Sequence, residues 1–219
     1  MARYATSEGT QAALIQAAGE LFAEFGVAGV GIRAIAERAG ENIGSIHYHF
    51  GSKEGLLLAT LRHATRELLG DPLGRYLDEH RDLVATKRGQ MRLVAGFAAL
   101  FFDLVCSRDT PPWCMTLLLH TLQQPSEARS AMRQEFMDPI QNAYVRLHRL
   151  VHPDAPLMTA QVWALNRTAE AAFYVLFESA ILDYLSSPSY PAELLDEARR
   201  QIQTAALLTL GLPCEETTV

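Results

Sequence analysis

Apolar side chains recur along most of the chain with the spacing of α-helices. In the first such segment they stand at i, i+3, i+4 and i+7, which places them on one helix face. They are Leu14, Ala17, Ala18, Leu21, Phe22 and Phe25. Gly26 then stands where a helix commonly ends. No stretch alternates apolar and polar residues as a half-buried strand does. The pattern therefore predicts an all-α protein.

Shorter helices follow this first one. The apolar spacing predicts helices over 31–38 and 42–49, with Gly40 between them. Ser52 is a suitable N-cap for a fourth helix over about 53–69. Together with the first helix they form a module of mostly short helices.

A change in helix length indicates a domain boundary near residue 70. The stretch Gly70-Asp71-Pro72-Leu73-Gly74 interrupts the helical pattern there. Longer helices with prolines between them follow, over about 87–107, 113–123, 127–151, 159–186 and 191–210. We expect an N-terminal domain over 1–70, which includes the fourth, linking helix, and a larger helical domain over 71–219.

Composition and cysteine usage indicate a folded cytoplasmic protein. Hydrophobic residues make up 49% of the 219 residues, enough to bury a substantial core. We find no run of about 18 apolar residues that could cross a membrane, and the start, MARYATSEGTQ, lacks the apolar segment of a secretory signal. The three cysteines form no CxxC pair. No membrane partner is expected.

The charge balance argues against a nucleic-acid partner. The chain has 19 Lys and Arg residues against 25 Asp and Glu, a formal net charge of −6, whereas most nucleic-acid-binding domains are basic. Any contact with DNA would have to rest on a few well-placed cations, and we expect weak non-specific affinity.

The stretch ENIGSIHYHFGSKEGLL, residues 41–57, crowds two histidines around a tyrosine. His47 and His49 lie roughly 200° apart on a helix and cannot share one metal ion. No second ligand cluster accompanies them, so no metal or other cofactor is expected. No nucleophile motif such as GxSxG is present, and the prediction is that the chain is not an enzyme.

The third predicted helix has a small polar face. With Ile46 turned inward, Ile43 and Phe50 are expected to be buried, while Gly44, Ser45 and Tyr48 point outward. His47 and His49 lie on the two flanks. Such a face could contact DNA, and the residues alone leave an ordinary solvated surface equally open.

The preceding turn favours the DNA-contacting alternative. Ala36, Gly40 and Ile46 stand at the spacing of two helices joined by a tight turn. Over residues 10–60 the sequence, including IRAIAERAGENIGSIHYHFGSKEGLLLA, resembles the TetR family of one-component transcriptional regulators. Met137-Asp138-Pro139-Ile140 resembles a subgroup of that family, the CecR-like one, with Asp-Pro before a long helix.

The resemblance implies a function and a set of DNA-contacting residues. A dimer would bind a palindromic operator in double-stranded DNA, and a small, largely apolar effector would release it, most simply as a repressor. The implied DNA contacts are Arg33, Gly44, Ser45, His47, Tyr48, His49 and Lys53. Many family members carry an aromatic residue where His47 stands, and this chain departs from that pattern. A helical adaptor without DNA binding and an all-α enzyme remain the alternatives.

We expect the effector to bind in a cavity of the C-terminal domain. The expected lining is Phe97, Phe101, Trp113, His120, Tyr144, Asn166, Glu170 and Phe173. Asn166 and Glu170 would be its polar anchors, with a cationic or hydrogen-bonding group of the effector facing Glu170.

We expect the last two long helices to form a homodimer interface. The residues proposed for it are Ala172, Ser179, Leu195, Ala198, Ile202 and Ala205. The apolar stripe on the last helix could instead belong to the core.

Overall fold

A computed structural model describes residues 2–66, 71–106, 111, 113–123 and 125–214, with side chains from residue 7 on. These residues form helices and no β-strand, which confirms the predicted all-α class. The chain divides into two compact units. The first comprises 1–69 with 109–136, and the second comprises 70–108 with 137–219. None of the described helices is long and apolar enough to cross a membrane.

Six helices belong to the first unit. In chain order they are α1 (Ala2–Gly29), α2 (Ile32–Ala39), α3 (Ile43–Phe50), α4 (Lys53–Ala64), α7 (Trp113–Gln123) and α8 (Glu127–Met132), which runs into a π-helical turn, Arg133–Met137. The second unit has α5 (Pro72–Glu79), a 3₁₀ turn (Arg81–Ala85), α6 (Lys87–Val105), α9 (Asp138–Val151), α10 (Leu157–Leu176), α11 (Glu178–Leu185) and α12 (Ala192–Thr209).

Helix α1 is the centre of the first unit. Its predicted apolar face is buried, apart from the 57%-exposed Phe25, and packs against α2, α4 and α7. The helix does not end at Gly26 as predicted. It kinks there, with φ 72° and ψ 156°, and resumes for a short stretch to Gly29. Glycine adopts this positive φ without the steric cost that a Cβ would add.

Helix α6 is the centre of the second unit and packs against α12, α10 and α5. Leu93, Val94 and Phe97 are fully buried on it. Arg199 on α12 donates two hydrogen bonds to the Asp103 carboxylate on α6, at 2.9 and 2.8 Å. The apolar core and this pair together fix the rotation of α12.

Three predicted segments differ from the observed ones for local reasons. The helix predicted over 127–151 is α8 and α9 joined by the π-helical turn, and the one over 159–186 is interrupted at Phe177 (φ −116°). Helix α5 was not predicted because Pro72 and Gly74 resemble a break. Proline in fact fits a first helical turn, and the Asp71 side chain caps the helix by accepting from the Gly74 N–H. Residues 67–69 and 107 of two predicted helices lie outside the described residues.

Candidate nucleic-acid interface

The turn between α2 and α3 is built by local hydrogen bonds. Gly40 adopts the left-handed conformation (φ 70°, ψ 24°) that closes α2, and the Glu41 N–H donates to the Ala36 carbonyl oxygen at 2.9 Å. The Asn42 side chain then caps α3 by accepting from the Ser45 N–H at 3.0 Å. These bonds satisfy helix-end groups that would otherwise lack partners. They set the angle at which α3 leaves α2.

The side of α3 that faces the core is narrow. Ile46 is fully buried, together with Ile35 and Ala36 on α2. Ile43 and Phe50, which we expected to be buried, are half-buried because they lie at the two ends of this eight-residue helix and pack only partly against the core. Ile46 therefore anchors α3, with Ile43 and Phe50 packing partly at its ends, and the outer side of the helix is available for contact.

The outer side of α3 presents a large aromatic ring among small residues. Tyr48 is 83% exposed, Gly44 is exposed and Ser45 is half-buried. At this exposure the Tyr48 side chain buries little surface and lies outside the core of the unit. Its ring meets the neighbouring His49 ring edge to face, with centroids 4.8 Å apart, and most of the ring is open to a partner.

The two histidines beside Tyr48 are held differently. His47 is exposed, and its Nδ1 donates to the Gly51 carbonyl oxygen at 3.0 Å, because a carbonyl can only accept. Its Nε2 then becomes a donor only when the ring is protonated. His49 is half-buried and its Nδ1 accepts from the Gln11 Nε2 at 3.2 Å. Its proton therefore lies on Nε2, where a neutral ring can already donate to a phosphate.

Contacts from α1 to this region were not predicted from the sequence. Gln11 reaches His49, and Thr10 Oγ1 donates to Glu41 Oε1 at 2.8 Å. Glu41 also accepts from Ser45 Oγ at 3.4 Å. Thr10 lies 31 residues before Glu41 in the sequence, and Gln11 lies 38 residues before His49. No local sequence pattern indicates pairs that are so far apart.

Among the described side chains, few cations accompany this surface. Arg33 is exposed on α2, and Lys53 is half-buried at the first residue of α4. Arg38 is engaged elsewhere, since its Nη1 lies 3.0 Å from Glu20 Oε2 on α1. Next to Lys53, backbone and Ser52 hydrogen bonds lower the pKa of Glu54, which keeps a negative charge at the same helix end. Arg33 and Lys53 can supply a small number of phosphate contacts.

Four of the residues expected to line the effector cavity lie in one region of the second unit. The Tyr144 ring meets Phe97 and Phe101 edge to face, with centroids 4.8 and 5.3 Å apart. Glu170 lies on α10, and its Oε1 is 2.9 Å from Nη2 of Arg167. Arg167 was missed, although its i,i+3 spacing to Glu170 is typical of a helical ion pair.

The other four expected cavity residues lie elsewhere. Trp113 and His120 are on α7 in the first unit, because the apolar face of α7 packs on α1 and α4. Asn166 and Phe173 are exposed, since Trp163, Ala164 and Ala171 turn the opposite side of α10 inward. Trp113 and His120 thus belong to the first unit, and Asn166 and Phe173 to the exposed side of α10.

The proposed dimer residues are divided between core and surface. Ala198 and Ile202 are buried because α12 packs on α6, which supports the core alternative for that stripe. Ala172, Leu195 and Ala205 are half-buried, and Ser179 is exposed. The exposed large apolar side chains lie mainly on α10 and α11 instead: Leu157, Met158, Val162, Leu165, Phe173 and Tyr184.

Among the described residues there is no group of three or more His, Cys, Asp or Glu side chains placed to hold a metal ion. Cys106, Cys114 and Cys214 are free thiols. Burial raises the pKa of the Cys106 and Cys114 thiols to about 12. Both thiols are therefore protonated and unreactive near neutral pH.

Comparison with known proteins identifies the helix-turn-helix region. Residues 14–60 match the model of a family described as bacterial regulatory proteins, tetR family. The chain is 37% identical over 93 residues to the HTH-type transcriptional regulator BetI of Burkholderia lata, covering 42% of this chain and 45% of the relative. It is 40% identical over 86 residues to the HTH-type transcriptional repressor Rv3405c of Mycobacterium tuberculosis, covering 36% of this chain and 46% of the relative. The chain thus matches less than half the length of these curated relatives.

Solved structures resemble the chain over most of its length. NalD, the secondary repressor of the MexAB-OprM multidrug efflux pump in Pseudomonas aeruginosa, aligns with a TM-score of 0.57 and 20% identity, covering 91% of this chain and 96% of that one. AmtR of Mycobacterium smegmatis aligns with a TM-score of 0.55 and 20% identity, covering 92% of this chain and 86% of AmtR. At this identity the likeness concerns the fold.

Proposed function

We propose that this chain is a DNA-binding transcriptional regulator of the tetR family, whose model residues 14–60 match, and that it acts as a repressor. The α2–turn–α3 geometry carries the proposal. Gly40 and Asn42 set the angle of α3, Ile46 anchors it, and Tyr48 stands out from its far side. A short helix held in this way can enter the major groove and read base edges.

The proposed contacts divide into two kinds. Gly44, Ser45 and Tyr48 would face the bases, and Arg33 would reach a base or a phosphate. His49 would donate to a phosphate from Nε2 in its neutral form, and Lys53 would contribute a full positive charge. His47 would contribute to a phosphate contact when its ring is protonated. With so few cations, affinity should rest more on fit to the operator than on charge.

The regulator would act as a homodimer on a palindromic operator, because a twofold site requires a twofold protein. The exposed apolar side chains of α10 and α11 supply the surface for this contact. Val162, Leu165 and Phe173 are each about half exposed and share one side of α10. We place the centre of the interface there rather than on Ala198 and Ile202, which belong to the core.

A small effector would bind in the second unit near Phe97, Phe101 and Tyr144. The expectation of a cationic effector group facing Glu170 is revised, because Arg167 already occupies that position. An effector changes DNA binding only if it binds one state of the regulator better than the other. We also propose the CecR-like subgroup, which rests on the Asp138-Pro139 pair at the start of α9.

The test is a mobility-shift titration with DNA taken from upstream of the chain's own gene. Wild-type protein should retard this fragment at lower concentration than an unrelated fragment of equal length. Tyr48→Ala is the matched variant, since its exposed ring is absent from the core and the protein should remain folded by circular dichroism. Equal retardation of both fragments by both proteins would contradict the proposal.

A further inference from the structure

Six buried polar side-chain atoms of the second unit have no hydrogen-bond partner within the described part of the chain. Two of them are Gln90 Oε1 and His148 Nδ1. The other four lie on three side chains and are the hydroxyl of Tyr144, Nε and Nη1 of Arg167, and Oε2 of Glu170. A buried polar atom without a partner destabilises the folded state, and most such atoms in proteins are paired. Packing alone therefore does not account for this group of side chains.

The four atoms of Tyr144, Arg167 and Glu170 belong to one cluster between α9 and α10. Gln141 Nε2 on α9 donates to Thr168 Oγ1 on α10 at 2.9 Å and fixes the alignment of the two helices. Arg167 and Glu170 are joined by a single contact of 2.9 Å. The Tyr144 ring lies 5.8 Å from that of Trp163, which stands one turn before Arg167 on α10. Tyr144, Arg167 and Glu170 therefore share the contact between α9 and α10. Burial, and then the Glu170 charge, raise the pKa of Tyr144, and the Arg167 charge lowers it.

Aromatic rings surround the inner end of the cluster. The centroids of Phe97, Phe101 and Trp163 lie 4.8, 5.3 and 5.8 Å from that of Tyr144. Tyr144 is 1% exposed. The Arg167 and Glu170 side chains are 12% and 30% exposed, so the cluster reaches the surface at Glu170. A small molecule would thus meet polar groups that lead towards an aromatic interior.

The charges of the cluster limit the ligand. Arg167 and Glu170 balance one another, and a ligand with a net charge would bring an additional charge into a buried place without a partner. The free atoms comprise donors on Arg167, an acceptor on Glu170 and a hydroxyl that can do either. A group that donates and accepts at one atom suits this set, and a hydroxyl is such a group.

We infer that Tyr144, Arg167 and Glu170 form the polar end of a binding site for a small uncharged phenol. The phenol O–H donates to Glu170 Oε2, its oxygen accepts from Arg167 and from the Tyr144 hydroxyl, and its ring packs beside Phe97 and Phe101. This inference rests on the proposed function, because it names the chemical class of the effector.

The first experiment compares four probes of similar shape by isothermal titration calorimetry on the full chain. Para-ethylphenol should bind at least about tenfold more tightly than para-ethyltoluene, which lacks the hydroxyl. It should also bind more tightly than para-ethylbenzoate and para-ethylbenzylammonium, which bring a charge. Equal binding of phenol and toluene, or binding of neither, would overturn the inference.

Tyr144→Phe separates a ligand-binding hydroxyl from a structural one. Removing an unpaired buried hydroxyl should raise the melting temperature of the free protein and weaken para-ethylphenol binding by about tenfold. Tyr190→Phe is the matched control, because the Tyr190 hydroxyl donates to the Tyr174 carbonyl oxygen at 2.6 Å. That variant should melt at lower temperature and bind the phenol unchanged. A lower melting temperature for both variants, with unchanged phenol binding, would indicate a structural role.

Glu170→Gln tests the charge argument. The amide keeps the shape of the side chain but leaves the Arg167 charge unbalanced, so para-ethylbenzoate should become the preferred probe. An unchanged preference would contradict the assignment.

DNA binding by the ligand-free protein is measured in parallel. Loss of that binding would refute the proposed function, whereas DNA binding without phenol binding would refute only this inference. Phenol binding that leaves the DNA complex unchanged would overturn the effector role.

Discussion

The indole ring of Trp113 lies directly against Gly19. A Cβ atom placed on Gly19 would come within 2.5 Å of the Trp113 ring, closer than any normal packing contact. The Trp113 Nε1–H also donates to Gln16 Oε1, one turn earlier on α1, at 3.2 Å. The glycine is thus the site where α7 approaches α1, the helix that supports α2 and α3.

Gly19→Ala should destabilise the protein by about 1–3 kcal/mol, because the added methyl group displaces the Trp113 ring. The usual gain of up to about 1 kcal/mol for replacing glycine by alanine in a helix would offset part of this loss. Gly9→Ala is the matched control, since nothing lies within 4 Å of its added Cβ on the same helix. Urea denaturation should show loss at Gly19 and a small gain at Gly9. Equal effects at the two positions would contradict the close packing.

Lys53→Ala and Tyr48→Ala should weaken DNA binding in different ways. A phosphate contact carries no sequence information, so Lys53→Ala should weaken binding to all sequences alike and flatten the dependence on salt. Tyr48→Ala should reduce discrimination between the best site and other sites, by about 1–3 kcal/mol. Titrations at several salt concentrations measure both effects. Binding unaffected by Lys53→Ala at every salt concentration would refute the proposed docking.

Stability of the first unit should fall in mild acid because of His63. The His63 ring stacks on Trp113, with centroids 6.4 Å apart and planes at 19°. Burial, and then the Arg66 charge, lower the pKa of His63. The unfolded chain therefore binds a proton first as pH falls below about 6.5, and the folded state loses stability there.

Thermal unfolding at pH about 7.5 and about 5.5 measures this loss. His63→Gln should reduce the difference between the two conditions. His120→Gln, an exposed change on α7 of the same unit, should leave the difference as in wild type. If the stability difference between the two pH values were unchanged in His63→Gln, groups other than His63 would be its cause.

Leu165→Glu should give a folded monomer. Leu165 is 56% exposed on α10, so a charge there costs the isolated chain little but would be buried in the proposed dimer. Ile202→Glu is the comparison variant, because Ile202 is buried within the chain itself. Its side chain is 6% exposed in the monomer, so a charge should unfold the chain rather than separate subunits. Sedimentation and circular dichroism distinguish these results, and a Leu165→Glu protein that remains a dimer would exclude this part of α10 from the interface.

Local chemistry along the chain determined the geometry of the α2–turn–α3 region. Three residues shape this region: Gly40 in the turn, the Asn42 cap and the buried Ile46. Each of them affects the backbone or packing within a few positions of itself, so its effect could be predicted from the sequence. The same holds for the predicted helices that the structure confirms, such as Trp113–Gln123. Capping and helical periodicity depend on neighbours within one or two turns.

Tertiary packing decided which helices share a unit and which side of each is buried. Trp113 and Phe97 are both aromatic residues on amphipathic helices, yet Gly19 admits the first into a different unit from the second. Asn166 and Arg167 are adjacent, and only the packing of Trp163 and Ala171 turns Arg167 inward and leaves Asn166 exposed. Periodicity defines an apolar face but not its partner, because the partner is chosen by shape and by contacts between residues far apart in the chain.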